Sequence, residues 1–276
     1  MGVKTELMKK DSHSEVLGRI QAALEEARLV FARFTPGEIE AEYKAGHDPV
    51  TEADRELDAV LRKNLLREGE GWLSEESVDD LSRLDRERVW VVDPLDGTRE
   101  FVAGIPEFCV SIAMVERGRA EAAGICNPAT GETFLGSVDS GFLYNGQPGQ
   151  ASGRKTLDGA VILASRSETK RGEWEQFAHA PFRVQEMGSV AYKLARVAAG
   201  LADATFTLTP KNEWDVAAGV ALVESAGGFA RPLDQATFTF NKQSSLLPGL
   251  VACGPLLRDE LLTLLGIADP LETHRR

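Results

Sequence analysis

Residues 89–98 read Val-Trp-Val-Val-Asp-Pro-Leu-Asp-Gly-Thr, and this stretch decides the fold. Its four consecutive apolar residues predict a strand that is covered on both faces. Pro94 and Gly97 then predict a turn at the end of that strand. We therefore expect Asp93 and Asp96 on a tight turn at the C-terminal end of the strand, the edge where open α/β sheets place their ligands.

The two carboxylates of this turn predict a metal site. Asp93 and Asp96 repel each other and raise each other's pKa unless a cation lies between them. Mg²⁺ suits such a turn because it takes oxygen ligands and binds through a few carboxylates together with the phosphates of a substrate. The alternative is that both residues only make Asx-type hydrogen bonds within the turn.

Composition narrows the class of protein. The chain has 276 residues and carries 43 acidic against 31 basic side chains, a net charge of −12, which argues against a nucleic-acid polymer as partner. Its 3 cysteines have no C-x-x-C spacing and its 4 histidines are scattered, so neither a disulfide framework nor a zinc site is indicated. The polar N-terminus and the lack of a long apolar stretch predict a cytoplasmic enzyme with no membrane partner.

Upstream and downstream of the aspartate turn, the pattern predicts helices and then a meander. Apolar residues at helical spacing predict a helix over 14–34, and Thr51 with Asp54 three residues later predicts a capping box that starts a second helix. Residues 44–49 are rich in turn formers, and 67–88 predict a loop with a short strand. Short β-prone segments predict an antiparallel meander, with strands at 109–116, 120–126, 132–137 and 142–144.

The second half of the chain alternates strands and helices, which predicts an α/β unit with parallel pairing. We expect strands at 160–165, 203–209 and 249–253, and helices at about 171–179, Ser189–Ala199, Trp214–Ala226 and 256–265. Residues 145–159 are rich in Gly, Ser and Gln, so we place a boundary there. The predicted domains are 1–155, which carries the metal-binding turn, and 156–276, which supplies Asp215 and substrate contacts.

Several acidic residues suit the hydrolysis of a phosphate ester. That reaction needs cations on the phosphoryl oxygens and an activated water in line with the leaving group. The candidate ligands are Glu75, Asp93, Asp96, Asp215 and the carbonyl of Leu95. Asp54 and Thr98 are placed to hold the attacking water. Considered alone, Asp215 is also explained as an acidic residue in the first turn of a helix, and Glu75 as part of a solvent-exposed loop.

Three separated motifs resemble the inositol monophosphatase superfamily in order and spacing. They are Ser74-Glu75-Glu76-Ser77, then Val92-Asp93-Pro94-Leu95-Asp96-Gly97-Thr98, then Trp214-Asp215-Val216-Ala217-Ala218-Gly219 with Gly227-Gly228. Val50-Thr51-Glu52-Ala53-Asp54 resembles the segment of that family that carries a water-activating aspartate. The resemblance runs from about Lys44 to the C-terminal helix.

The resemblance implies a mechanism and a fold. Glu75, Asp93 and the Leu95 carbonyl match the ligands of a first Mg²⁺, and Asp93, Asp96 and Asp215 match those of a second, so that Asp93 bridges. Asp54 and Thr98 match the pair that activates the nucleophilic water. The family implies a layered α/β/α/β/α sandwich, two or three Mg²⁺ ions per active site, a homodimer and inhibition by Li⁺.

The substrate is expected to be a small phosphorylated metabolite. Arg99-Glu100-Phe101 resembles the Lys-Glu-Phe of the CysQ-like 3′(2′),5′-bisphosphate nucleotidases. Arg166, Ser189 and Lys193 look like phosphate and nucleotide contacts of that branch, in addition to Gly97 and Thr98 of the turn. We therefore expect hydrolysis of the 3′-phosphate of 3′-phosphoadenosine 5′-phosphate. The alternative is an inositol monophosphatase or a broad sugar phosphatase of the fructose-1,6-bisphosphatase type.

Two other classes of protein share part of the pattern. Haloacid dehalogenase phosphatases place a nucleophilic aspartate after an apolar strand in a D-x-D-x-T turn, but the spacing here is D-x-x-D-G-T. A non-catalytic metal or phospholigand sensor needs no water activator, and the presence of Asp54 and Thr98 argues against it.

Overall fold

The computed structural model describes residues 2–43 and 49–267. The helices are α1 Gly2–Phe31, α2 Glu52–Leu65, α3 Thr98–Val102, α4 Arg166–Lys170, α5 Val190–Ala198, α6 Glu213–Ser225 and α7 Arg258–Leu264, and 3₁₀ turns lie at Ser82–Asp85 and Glu175–Phe177. The strands are β1 Glu42–Tyr43, β2 Pro49–Val50, β3 Gly71–Ser74, β4 Arg88–Asp96, β5 Cys109–Glu116, β6 Arg119–Cys126, β7 Thr133–Ser137, β8 Gly141–Tyr144, β9 Gln147–Pro148, β10 Val161–Ser165, β11 Arg183–Met187, β12 Ala204–Thr207, β13 Lys211–Asn212, β14 Phe229–Pro232, β15 Leu246–Leu247 and β16 Leu250–Cys253.

The strand predicted from residues 89–92 is β4, in the interior of the first large sheet. The order of this sheet is β3-β4-β5-β6-β7-β8-β9, with β3 parallel to β4 and β5 to β9 forming the predicted antiparallel meander. Every residue from Val89 to Asp96 is buried, as expected for a strand covered on both faces. The strand runs on past Pro94 to Asp96, because a register irregularity between Asp93 and Asp96 accommodates the proline.

The second large sheet is mixed, so the expectation of purely parallel pairing is wrong. Its order is β11-β10-β12-β16-β14. The pairs on either side of β10 are parallel, whereas β16 runs antiparallel to both β12 and β14. The connection from β14 to β16 contains no helix, and a parallel strand would need such a crossover.

Five layers result, as the resemblance implies. Helices α1 and α2 cover one face of the first sheet, and their apolar residues form one core with Trp90, Val92 and Ile112. Helices α5 and α6 lie between the two sheets. Helix α7 packs on the outer face of the second sheet through Leu257, Leu261 and Leu262. The fold is an α/β/α/β/α sandwich.

Helix α6 lies in the middle layer because its sequence is apolar on all sides. Nine of its residues are buried: Glu213, Val216, Ala217, Ala218, Gly219, Val220, Ala221, Leu222 and Val223. It crosses α5 closely, since a Cβ at Gly219 would lie 2.3 Å from Cβ of Leu194. This packing carries the N-terminal end of α6, with Asp215, towards the C-terminal end of β4.

Of three further sequence predictions, one is wrong, one falls on residues that the structure does not describe, and one stays a prediction. The helix predicted at 171–179 is wrong: the Ser165 side chain caps the short α4, Gly172 adopts φ +80°, and only a 3₁₀ turn follows at Glu175–Phe177. Residues 44–48 of the predicted turn-rich segment lie outside the described residues. The domain boundary near residue 155 stays a prediction.

No helix in 2–43 or 49–267 combines the length and apolar character that a membrane crossing requires.

Candidate active site

The site begins at Gly97, the residue that follows β4. This residue adopts φ +98°, which side chains with a Cβ avoid, and a Cβ there would lie 2.8 Å from the carbonyl oxygen of Glu107. The reversal turns the chain into α3, so that Thr98 follows directly after Asp96 and Gly97. Asp93 and Asp96 therefore lie at the C-terminal end of the buried strand, as predicted, but both belong to β4, whereas the sequence predicted a turn that begins at Pro94.

Three carboxylates from distant parts of the chain meet at this turn. An oxygen atom of each of Glu75, Asp93 and Asp215 lies within 4.8 Å of the other two. Asp93 is 1% exposed; its Oδ1 accepts a hydrogen bond from the backbone N–H of Leu95, and its Oδ2 has no partner among the described residues. A buried carboxylate oxygen without a hydrogen-bond donor requires a cation or a proton.

The electrostatics of the cluster agree with this geometry. Burial, followed by the charges of Glu75, Asp96 and Asp215, raises the pKa of Asp93 well above its usual range. Burial, followed by the charges of Asp96 and Glu75, does the same to the pKa of Asp215. These carboxyl groups are costly to ionise together, and a divalent cation among them removes that cost.

Glu75 reaches the cluster because its loop is tethered to α2. β3 runs parallel to β4 and places Ser74 beside Val92, so Glu75 follows at the same sheet edge. The hydroxyls of Ser74 and Ser77 donate to the two carboxylate oxygens of Asp58 at 2.5 and 2.7 Å. Sequence reasoning missed Asp58, although two serines flanking a Glu-Glu pair indicate a hydrogen-bonded loop.

Asp96 turns away from Asp93 towards the start of α5. Its Oδ2 accepts hydrogen bonds from the Ser189 hydroxyl at 2.7 Å and from the backbone N–H of Ala191 at 2.6 Å. Burial raises the pKa of Asp96, and these two hydrogen bonds, together with the charges of Lys193 and Lys211, counteract the rise. Ser189 thus contacts a predicted metal ligand, whereas the sequence suggested a contact with the substrate.

Asp54 and Thr98 form the expected pair beside the cluster. The Thr98 hydroxyl lies 3.1 Å from Oδ1 of Asp54 and 3.0 Å from the carbonyl oxygen of Leu95. Oδ2 of Asp54 accepts from the backbone N–H and the hydroxyl of Thr51, which is the predicted capping box. Burial raises the pKa of Asp54, while the hydrogen bonds from Thr51 and Thr98 oppose the rise.

The turn opens into a cavity of about 500 Å³ between the two halves of the chain. Glu75, Asp96, Thr98 and Asp215 line this cavity together with residues of α4, α5 and β13. The predicted substrate contacts Gly97, Thr98, Arg166, Ser189 and Lys193 all line this cavity.

Two of the predicted basic contacts already have partners. Arg166 forms an ion pair of 2.5 Å with Glu107 and lies 3.6 Å from Glu186. Lys193 is 4% exposed, and its Nζ donates to the carbonyl oxygen of Ser189 at 3.0 Å. Burial lowers the pKa of Lys193. The positive charges of Arg166 and Lys193, which were predicted to contact phosphate, are therefore partly neutralised by their surroundings.

The donor set fits a hard divalent cation. All predicted ligand atoms are oxygens: the carboxylates of Glu75, Asp93, Asp96 and Asp215 and the carbonyl of Leu95. Oxygen-only sets of this kind favour Mg²⁺, Mn²⁺ or Ca²⁺ over the softer metals that prefer sulfur and imidazole. The unpartnered Oδ2 of Asp93 is the atom of this structure that most directly requires such an ion.

Comparison with known proteins agrees with the geometry. Residues 13–263 match the model of the inositol monophosphatase family. The chain is 35% identical to the inositol-1-monophosphatase of Mesorhizobium japonicum, over 78% of this chain and 84% of that protein. Inositol monophosphatase from Anabaena sp. superposes with a TM-score of 0.77 at 28% identity, covering 94% of this chain and 98% of that one. CysQ from Bacteroides thetaiotaomicron, a bacterial member of the same family, superposes with a TM-score of 0.73 at 25% identity, covering 88% and 97%.

Proposed function

This chain belongs to the inositol monophosphatase family and is a phosphoric monoester hydrolase, and we propose that its substrate is an inositol monophosphate. The substrate is supported by the names of two relatives. The observation that carries a metal-dependent reaction is the buried Asp93, whose Oδ2 lacks a partner among the described residues while Glu75 and Asp215 lie beside it. Family membership excludes the haloacid dehalogenase alternative, and the hydrolase assignment excludes a non-catalytic sensor.

Mg²⁺ is the cation that we propose for the site, with Glu75, Asp93 and the Leu95 carbonyl at one position and Asp93, Asp96 and Asp215 at a second. When bound, such cations neutralise the phosphoryl oxygens and lower the pKa of the attacking water.

The residues of this chain then orient the nucleophile. Asp54 and the Thr98 hydroxyl hold the water between them, and Asp54 accepts its proton. Burial raises the pKa of Asp54 towards the working range of a general base.

The names of the relatives support inositol monophosphate over a nucleotide. Two of them, 34% and 35% identical to this chain, are inositol-1-monophosphatases. The ion pairs of Arg166 and the burial of Lys193 also weaken the case for a second phosphate group on the substrate.

The second candidate is the 3′-phosphate of 3′-phosphoadenosine 5′-phosphate. Arg99-Glu100-Phe101 resembles the CysQ-like nucleotidases, and the structural likeness to a CysQ supports this reading. The specific observation in its favour is that Lys170 and Lys211 line the same cavity as the carboxylates.

A panel of phosphate-release assays tests both candidates. We expect Mg²⁺-dependent turnover of inositol 1-phosphate that disappears on chelation. Turnover of the adenosine bisphosphate with a higher kcat/KM would replace the leading candidate with the second, and fructose 1,6-bisphosphate tests for a broad sugar phosphatase. Asp93→Asn serves as the inactive control, because background phosphatase activity would survive it.

A homodimer and inhibition by Li⁺, both implied by the family resemblance, are further proposals. Sedimentation equilibrium tests the first. The dependence of phosphate release on Li⁺ at fixed Mg²⁺ tests the second.

A further inference from the structure

A lysine without an assigned role is held firmly at the edge of the active-site cavity. Lys211 lines the cavity, and its side chain is 17% exposed. Its Nζ lies 3.0 Å from Oε1 of Glu168, whose side chain is 2% exposed. The same oxygen accepts hydrogen bonds from the hydroxyls of Thr207 at 2.5 Å and Thr209 at 2.7 Å. A buried carboxylate fixed by two hydroxyls therefore fixes the position of the ammonium group.

The ammonium of Lys211 retains donors for a ligand. A lysine ammonium carries three N–H groups and no acceptor, and one of them is engaged by Glu168. Lys193 differs, since it is 4% exposed and its Nζ points to backbone carbonyl oxygens at the start of α5. Lys211 thus offers hydrogen bonds to the cavity from a fixed position.

Lys211 and the water-holding pair come from different halves of the chain. Asp54 and Thr98 come from α2 and α3 in the first half of the chain, whereas Lys211 comes from β13 in the second half. Burial raises the pKa of Asp96 and of Asp215, and the positive charge of Lys211 opposes this rise at both residues. In an in-line displacement the leaving oxygen lies across the phosphorus from the attacking water, and therefore away from Asp54 and Thr98. Lys211 is a donor of the cavity lining that does not hold that water.

We propose that Lys211 is a catalytic residue that donates a hydrogen bond to the oxygen of the leaving alcohol, and that Glu168 is its positioning residue. The proposal rests on the proposed phosphatase reaction at this cavity. The bond between phosphorus and the alcohol oxygen breaks, and the electron pair stays on that oxygen. The oxygen takes a proton from a solvent water, and the hydroxide that remains is neutralised by the proton that Asp54 took from the attacking water. Phosphorus gains the hydroxyl group of the attacking water, and Lys211 keeps its three protons. Its charge stabilises the alkoxide as the bond breaks.

Comparing substrates with different leaving groups tests this role. With Mg²⁺ at saturation, we expect Lys211→Met to lower kcat for inositol 1-phosphate by about 100-fold, the loss typical of one removed donor to a developing oxyanion. We expect kcat for p-nitrophenyl phosphate, whose leaving group is stable as an anion, to fall by less than about 3-fold. Equal losses on both substrates would overturn the proposal, because a structural role does not depend on the leaving group.

The experiment gives a different result if Lys211 instead binds a second phosphate group of the substrate. In that case Lys211→Met would raise KM for adenosine bisphosphate and leave kcat for inositol 1-phosphate unchanged, and the proposal would be wrong. If the wild-type protein does not hydrolyse inositol 1-phosphate, the proposed substrate fails by itself. The same comparison with glycerol 2-phosphate as the alkyl ester then still tests Lys211.

A second variant distinguishes a loss of catalysis from a loss of folding. Lys211→Met leaves the buried Glu168 without its cation, which destabilises proteins. The double variant with Glu168→Gln removes both charges, and we expect it to show the same leaving-group-selective loss. Glu168→Gln alone should give a smaller loss of the same kind, because the ammonium remains but is less well fixed. Lys155→Met, at an exposed lysine that does not line the cavity, is the matched control and should leave both rates unchanged.

Discussion

The hydroxyl of Ser189 donates a hydrogen bond of 2.7 Å to Oδ2 of Asp96, a residue 93 positions earlier in the chain. Ser189 adopts φ +56°, an unfavourable conformation for a residue with a Cβ, and its Oγ also accepts from the backbone N–H of Tyr192 at 2.9 Å. The start of α5 is thereby joined to the metal-binding turn, which lies in the other half of the chain. The surrounding structure maintains the strained backbone that makes this contact.

We predict that Ser189→Ala weakens metal binding more than it weakens the fold. Partners that orient a ligating carboxylate typically contribute about 10- to 100-fold in metal affinity, and we expect a loss at the low end because the Ala191 N–H still holds Asp96. The Mg²⁺ dependence of activity measures this, with kcat recovering at high Mg²⁺. Ser165→Ala removes an equivalent helix cap, at α4, and should leave the Mg²⁺ requirement unchanged. Equal shifts in the two variants would contradict the prediction.

Asp93→Asn should stabilise the metal-free protein while abolishing its response to Mg²⁺. Burial and three neighbouring carboxylates raise the pKa of Asp93. When the pKa of a carboxyl group is higher in the folded than in the unfolded protein, the group stabilises the fold at pH values below its unfolded-state pKa. This stabilisation is lost as the pH rises through its folded-state pKa. The asparagine amide of the variant carries no charge at neutral pH, so the variant does not lose this stabilisation. We therefore expect its Tm to be about 2–4 °C higher, the shift that about 1 kcal/mol produces in a large domain.

Thermal unfolding in chelator and in Mg²⁺ measures both effects of Asp93→Asn. The wild-type protein should gain Tm with Mg²⁺, and the variant should not. Asp259→Asn, at a carboxylate whose side chain is 93% exposed, is the control. A fall in the metal-free Tm of Asp93→Asn would show that the buried charge does not destabilise the fold.

We expect Asp54→Asn to lose turnover and to keep Mg²⁺ binding. Asp54 must be ionised to accept a proton from the water, so kcat/KM of the wild-type protein should fall as pH drops through its raised pKa. The hydroxyl of Thr51 lowers that pKa. Thr51→Val should therefore move the acidic limb of the pH profile to higher pH. An unchanged limb would indicate that another group controls it.

Gly97→Ala should destabilise the protein more than a matched change at another left-handed glycine. Both Gly97 and Gly141 adopt positive φ, but a Cβ at Gly97 would lie 2.8 Å from the Glu107 carbonyl oxygen, while a Cβ at Gly141 meets nothing within 4 Å. The conformational penalty is about 1–2 kcal/mol at each position, and Gly97→Ala adds the clash. Urea unfolding measures the difference. Similar losses at the two positions would mean that the turn relaxes around the new methyl group.

The sequence by itself determined the local structure of this protein. Four apolar residues followed by Pro94 and Gly97 specify a buried strand and a turn, and Thr51 with Asp54 specifies a helix start, because these signals act between residues close together in the chain. The antiparallel meander followed from the same kind of local alternation. The prediction of a helix at 171–179 is wrong because Ser165 starts the helix already at Arg166, and Gly172, at φ +80°, follows its end.

Only the tertiary structure decided which distant groups meet. A carboxylate such as Glu75 or Asp215 carries no local sign of its partners, and the motif resemblance supplied their roles where spacing alone did not. The contacts of Asp58 with the Glu75 loop, of Ser189 with Asp96 and of Glu168 with Lys211 join residues 16 or more positions apart. Their existence depends on how α6 packs against α5 and the first sheet, since long-range side-chain geometry is fixed by the packing of the layers and not by the order of residues along the chain.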